Sequence, residues 1–237
     1  MMPALKELKR YVFYLFRNLA GLWKKVDNDY SACRTTDTAV ILVQGYTLSY
    51  YAIGGALKQK LEKLGFKVFV FVSGSTMKKS IEDTAAALGQ FVEQVCQRCG
   101  VKKVCLVGHS MGGLIAKYYL QKLGGEERIS LIITIGAPFF GTWTSSLAFY
   151  TKPGRQMIPG SDFLKETNKE TGFLDRILSI RAQSDQFVKP KKSAYLPGAR
   201  NIELALVGHT TLLESKEVLS IIGQELAKIS LKSSKLG

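Results

Sequence analysis

Ten residues limit this chain's fold more than any others: Val104-Cys-Leu-Val-Gly-His-Ser-Met-Gly-Gly113. An apolar, strand-like run ends at Gly108. Ser110 follows, and then come Gly112, Gly113 and an apolar helical pattern. The pattern is Gly-x-Ser-x-Gly between a strand and a helix. A serine at such a sharp turn takes strained backbone angles, and side chains two residues to either side would collide. Glycine at 108 and 112 removes those clashes and leaves the Ser110 hydroxyl pointing outward. The helix beginning there aims backbone N–H groups at whatever reacts with the serine.

A nucleophilic serine needs a base, and the chain has only two histidines. His109 lies inside the motif and is expected to pack beside the turn. His209 follows the apolar run Leu204-Ala-Leu-Val207, and Asp185 follows the run Ile177–Ala182. Ser110, Asp185 and His209 thus stand in that order, each just past a strand-like run. Asp175 precedes its run and Glu203 lies inside one, so neither competes with Asp185. The order Ser, Asp, His is that of an α/β-hydrolase triad.

On these residues the chain resembles the α/β-hydrolase superfamily, and within it the small bacterial lipases and esterases. The resemblance covers roughly residues 38–226. Val40-Ile-Leu-Val-Gln-Gly-Tyr46 resembles the first oxyanion-hole loop, and Gly108–Gly112 the nucleophile elbow. Thr134-Ile-Gly-Ala-Pro-Phe-Phe-Gly-Thr142 is similar to the segment after the next strand in lipase-like members. Ser184-Asp185 and Gly208-His209 match the acid and base segments. Gln44-Gly45 departs from the His-Gly of many relatives, but that histidine is not the base, so the triad is untouched. The resemblance implies Ser110 as nucleophile, His209 as base and Asp185 as its orienting acid. It also implies backbone N–H groups of Tyr46 and Met111 as oxyanion donors. Leu48, Tyr50, Phe139, Phe140 and Trp143 are expected to line an apolar pocket suited to an acyl chain or aromatic ester.

The wider pattern agrees. From residue 38, strand-like and helical runs alternate, which predicts a parallel sheet with right-handed crossovers. Strands are expected at Thr38–Val43, Lys67–Val72, Lys103–Val107, Ile129–Ile135, Ile177–Ala182 and Asn201–Val207. Helices are expected near 50–63, 78–98, 111–123 and 214–230. The near-continuous apolarity of the strands fits burial on both faces. The expected architecture is a minimal α/β-hydrolase fold, about six mostly parallel strands flanked by helices. Residues 1–37 would be an N-terminal amphipathic helix and linker, and 38–237 the catalytic domain. The strand-poor stretch 142–173, beside the expected site, reads as a small cap or lid.

Apolar residues at 5, 8, 12, 15, 16, 19, 22 and 23 recur at helical spacing, opposite Lys6, Lys9, Arg10 and Arg17. Arg17 interrupts the run and no small-residue cleavage site follows, so the segment does not read as a signal peptide. It reads as a helix packed on the domain; the alternative is a basic helix lying on an anionic membrane. The net charge of +14 fits either a solvated basic surface or attraction to such a membrane. No nucleic-acid signature accompanies it. A cytoplasmic location is expected, with a membrane-peripheral one as the alternative, and nothing sets an oligomeric state. Cys96-x-x-Cys99 closes a helix rather than opening one and has no second ligand pair, so a structural or incidental role is expected for the cysteines, and nothing in a domain this large requires a disulfide. No metal or organic cofactor is called for. The expected activity is carboxylic-ester hydrolysis of apolar acyl esters through an acyl-enzyme. The alternatives are an acyltransferase or thioesterase on the same site, or a dead-site membrane-peripheral binding protein.

Overall fold

The computed structural model describes residues 28–31, 33, 38–46, 55, 57–72, 78–205 and 208–233. The N-terminal helix expected over residues 5–23 lies outside them. Six strands form one parallel sheet: β1 (Ala39–Val43), β2 (Lys67–Phe71), β3 (Val104–His109), β4 (Ile129–Ile135), β5 (Ile177–Ala182) and β6 (Arg200–Leu204). Their spatial order is β2-β1-β3-β4-β5-β6, with every pairing parallel. All six lie where the apolar runs predict them; the last starts one residue early and ends three early.

The alternation of side chains along each strand divides the core in two. Ile41, Val43, Phe69, Leu106 and Ile132 pack on one face, against α2 (Ile81–Cys99) and α3 (Met111–Lys122). Val40, Leu42, Val107, Ile133 and Ile180 pack on the other, against α1 (Lys58–Lys63) and α6 (Lys216–Ser233), which contribute Leu61, Val218, Ile222 and Leu226. Strands β1, β3 and β4 are therefore almost wholly apolar because both their faces are covered, whereas the edge strand β6 is polar and largely exposed. Helix α2 begins at a capping box, in which Ser80 and Asp83 each accept the other's backbone N–H. It ends at the left-handed Gly100.

Edge strand β2 is closed by the chain ahead of β1. The Asn28 amide donates to Val70 O at 3.1 Å and accepts from Val70 N at 2.9 Å, which satisfies ladder groups on an otherwise open edge. Tyr30 stacks on Phe69, and Cys33 forms a disulfide with Cys99, while Cys96 and Cys105 are free and buried. Half of the Cys-x-x-Cys pair is thus tied to a distant cysteine rather than to its neighbour.

Between β4 and β5 the chain leaves the sheet. A 3-10 segment (Trp143–Ala148) and two short helices, α4 (Lys152–Gln156) and α5 (Asp162–Lys169), fall within residues 142–173, the stretch read above as a cap or lid. Helix α3 grips the end of this excursion. Lys117 is buried and its Nζ donates to Thr167 O at 2.7 Å, and Gln121 Nε2 donates to the carbonyls of Glu170 and Gly172. Burial pushes the Lys117 pKa down to about 8. Among the described residues, no helix is long and apolar enough to cross a membrane.

Helix α6 is held on β6 by Glu225, which accepts Arg200 Nη1 at 2.6 Å and Nη2 at 3.0 Å, and Lys228 Nζ at 2.7 Å. These partners, Arg200 first, hold its carboxyl down to about 2 against an ordinary 4.5. A carboxylate depressed in the folded state stabilises it above the unfolded pKa and loses that contribution as pH falls toward the folded one. Arg200 is half exposed, so the contribution is small. Glu225→Gln should cost about 1 kcal/mol at pH 7, and the deficit should shrink near pH 3, measured by urea unfolding.

Candidate active site

The β3–α3 junction sets the geometry. Ser110 has φ 53 and ψ −124, one of two non-glycine residues at positive φ among those described. Such a conformation costs on the order of 1–3 kcal/mol and persists only where the surroundings impose it. Here Ser110 N donates to Ile135 O at 2.9 Å, so the β3–β4 ladder continues into the turn. Gly108 and Gly112 allow the close packing inferred from the motif: a Cβ on Gly108 would lie 2.6 Å from Gly112 O, and one on Gly112 would collide with Val43 O.

Asp185 and His209 meet across the ends of β5 and β6. His209 Nδ1 lies 2.8 Å from Asp185 Oδ2, with both side chains buried. The other carboxylate oxygen, Oδ1, accepts Phe187 N at 2.8 Å and Val188 N at 2.7 Å. Burial alone would raise the Asp185 pKa. The His209 charge and hydrogen bond and the two backbone N–H groups outweigh it, and the carboxyl sits below its ordinary value. Gly136 backs the pair at φ +61. A Cβ there would lie 3.0 Å from His209 Nδ1, so the space behind the imidazole exists only for glycine. The sequence reading gave this residue no part.

Ser110 and His209 line one cavity of about 380 Å³. Among the described residues no hydrogen bond joins the Ser110 hydroxyl to His209; such contacts commonly tighten only around substrate. Tyr46, in the loop three residues past β1, lines the same cavity, and its hydroxyl lies 3.1 Å from Thr151 Oγ1 at the start of α4. Met111 is buried at the first turn of α3.

The expected pocket residues fare differently. Leu48 and Tyr50 lie outside the described residues. Phe139 does not line the cavity but is fully buried in the core with Ala137. The chain past β4 alternates, so Ala137 and Phe139 turn inward while Pro138 faces the cavity. Phe140 and Trp143 are exposed and also absent from the lining. The apolar wall comes instead from Leu147, Tyr150 and Met157 of the excursion, with Phe187, Val188 and Leu213. The first three fall inside the stretch read as a cap, which was the available signal. Thr142 and Thr144 lock that stretch onto the Asp185 loop, each donating to Phe187 O at 2.6 Å, and Thr142 Oγ1 also accepts Lys189 N.

His109, expected beside the turn, packs directly on His209. Their ring centroids are 4.7 Å apart, and His109 Nε2 lies 3.3 Å from His209 O. Phe187 contacts the His209 ring as well, at 5.5 Å.

Residues 38–154 match the family model described as the alpha/beta hydrolase fold. Among solved structures, the mature Bacillus licheniformis lipase superposes with a TM-score of 0.71 at 16% identity, over 83% of this chain and 94% of that one. Aspergillus fumigatus lipase B gives 0.68 at 16% identity, over 84% of this chain and 54% of its own, so the chain spans about half its length. A Pyrococcus furiosus esterase gives 0.61 at 19% identity, over 81% and 83%. At these identities the likeness is one of fold.

Burial, and next the neighbouring His209, pushes the His109 pKa down to about 3 from 6.5, so the ring is neutral in the folded protein. A base whose pKa is lowered by folding is protonated first in the unfolded chain. Stability is therefore lost as pH falls from the unfolded value toward the folded one. Between pH 7 and 5 this single residue should cost about 2 kcal/mol. His109→Gln should recover most of that loss, read as the difference in urea midpoints at the two pH values.

Proposed function

We propose that this protein, an α/β hydrolase by fold and by family model, is a carboxylic-ester hydrolase acting through Ser110, His209 and Asp185. The observation that carries the reading is the buried 2.8 Å His209–Asp185 contact, opening onto the same apolar-walled cavity as a strained, outward-facing serine. In this reading His209 Nε2 takes the Ser110 proton as Oγ attacks the acyl carbonyl. Asp185 keeps Nδ1 protonated and stabilises the imidazolium, and its own second oxygen is held by Phe187 and Val188. The backbone N–H groups of Met111 and Tyr46 stabilise the tetrahedral oxyanion. Collapse returns the proton from His209 to the leaving alcohol and leaves Ser110 acylated. Water, activated by the same imidazole, then releases the acid.

The wall formed by Leu147, Tyr150, Met157, Phe187 and Leu213 suits an apolar acyl or alkyl group. The lipases and esterases that share the fold support the same reaction class. No observation favours an acyl acceptor other than water.

A fluorophosphonate should label the protein once, and Ser110→Ala should abolish labelling and cut ester turnover by roughly a millionfold. A Ser110→Ala protein with wild-type turnover would end the serine mechanism. Asp185→Asn should keep the fold, judged by an unchanged urea m-value, and lose roughly ten-thousandfold in kcat. Turnover on aryl esters of two to sixteen carbons, with triacylglycerol emulsions alongside, reads the acyl preference directly.

A further inference from the structure

At the mouth of the cavity lies an apolar cluster, two members of which, Trp143 and Phe149, take no part in its wall. Trp143 is 61% exposed, Leu147 84%, Phe149 64% and Tyr150 65%, all within eight residues. Leu147 and Tyr150 also line the cavity, so the cluster stands at its mouth. Isolated exposed apolar side chains are ordinary on a protein surface; a group of large ones beside a site opening marks a contact surface.

Charge supplies the second observation. Two segments contribute to this rim, 138–161 and 186–195, and neither contains an aspartate or glutamate. They are joined by Trp143 N donating to Lys189 O and Phe140 N to Ser193 O. Their basic residues are Lys152, Arg155, Lys189, Lys191 and Lys192. Lys152 and Arg155 share a shallow groove with Glu82 and Asp162. Lys189, half-buried, and Lys191 and Lys192, both exposed, form no ion pair among the described residues, and the segment that carries them is tied to Trp143 and Phe140 through Lys189 O and Ser193 O. A second copy of the chain meeting this face about a two-fold axis would set these lysines against themselves. A surface that is apolar beneath and negatively charged above has the opposite complementarity, with a place for aromatic rings and a place for ammonium groups.

We infer that this rim docks the protein on an anionic lipid surface, the Trp143–Tyr150 side chains entering the headgroup region and Lys189, Lys191 and Lys192 facing the phosphates. The inference rests on the ester-hydrolase reading for its consequence, that the substrate is a lipid ester drawn from that surface into the cavity. Docking itself requires no chemistry at Ser110.

The test uses the full chain carrying Ser110→Ala, so that no lipid is consumed, and sedimentation with phosphatidylcholine vesicles with or without phosphatidylglycerol. Binding to the anionic vesicles should be at least roughly tenfold tighter, and should weaken as salt is raised. Replacing Lys189, Lys191 and Lys192 by glutamine should lower anionic-vesicle binding by roughly a hundredfold and leave the weak binding to neutral vesicles unchanged. Trp143→Ser with Phe149→Ser should lower both. With Trp23→Phe, Trp143 is the sole indole, and its emission should shift to the blue on anionic vesicles.

Equal binding by all variants, which would place the contact elsewhere in the chain, overturns the inference. So does an absence of binding, an unshifted Trp143 emission, or a dimer that Trp143→Ser with Phe149→Ser converts to monomer. Hydrolysis of a soluble aryl acetate by the same rim variants with Ser110 restored should equal wild type. Vesicle binding without any hydrolysis or fluorophosphonate labelling would refute the ester reading alone. Hydrolysis without vesicle binding would refute the docking alone.

Discussion

Everything at this site hangs on a serine held in a backbone conformation it does not favour. Ser110 sits at φ 53 because both flanks leave it no alternative. On one side β3 is locked between β1 and β4, and its ladder runs through Ser110 N to Ile135 O. On the other, α3 packs so near β1 that no side chain fits at Gly112. The turn between them must be sharp, and a sharp turn lifts the hydroxyl clear of the sheet. The cost, on the order of 1–3 kcal/mol, is met by the surrounding core, in which strand residues are buried on both faces.

The second centre is built differently. Asp185 and His209 are contributed by loops rather than by strands, so their positions depend on polar ties. Thr142 and Thr144 bind Phe187 O, Phe187 N and Val188 N bind Asp185, and His209 takes the remaining oxygen. His109 and Phe187 pack on the imidazole, and Gly136 leaves room behind it. The excursion that walls the cavity is thereby fastened to the loop that holds the acid. In the proposed reaction, substrate fit and histidine orientation share one hydrogen-bonded frame.

The inner strands are legible in the sequence because burial on both faces leaves β1, β3 and β4 almost wholly apolar, and Gly-x-Ser-x-Gly is legible because steric exclusion leaves glycine at defined places. Where side-chain direction decides the outcome, residue type alone carries no signal. Phe139, Phe140 and Trp143 are all aromatic and adjacent to the site, yet one is core and two are surface. The alternation past β4 separates them, and composition does not. Leu147, Tyr150 and Met157 could be located only to a cap, since a chain of 3-10 turns and short helices has no strong hydrophobic period. Gly136, the Cys33–Cys99 bond and the buried Lys117 depend on contacts between distant segments, which no local pattern encodes.

The central claim is that Ser110 carries the acyl group through turnover. Rapid acid quench during hydrolysis of an aryl ester, followed by tryptic digestion and mass spectrometry, tests it directly. The account predicts one acyl adduct, on the peptide Val104–Lys117 that contains Ser110, formed and lost at rates compatible with turnover. An adduct on any other peptide, or turnover at full rate with no adduct, would contradict it.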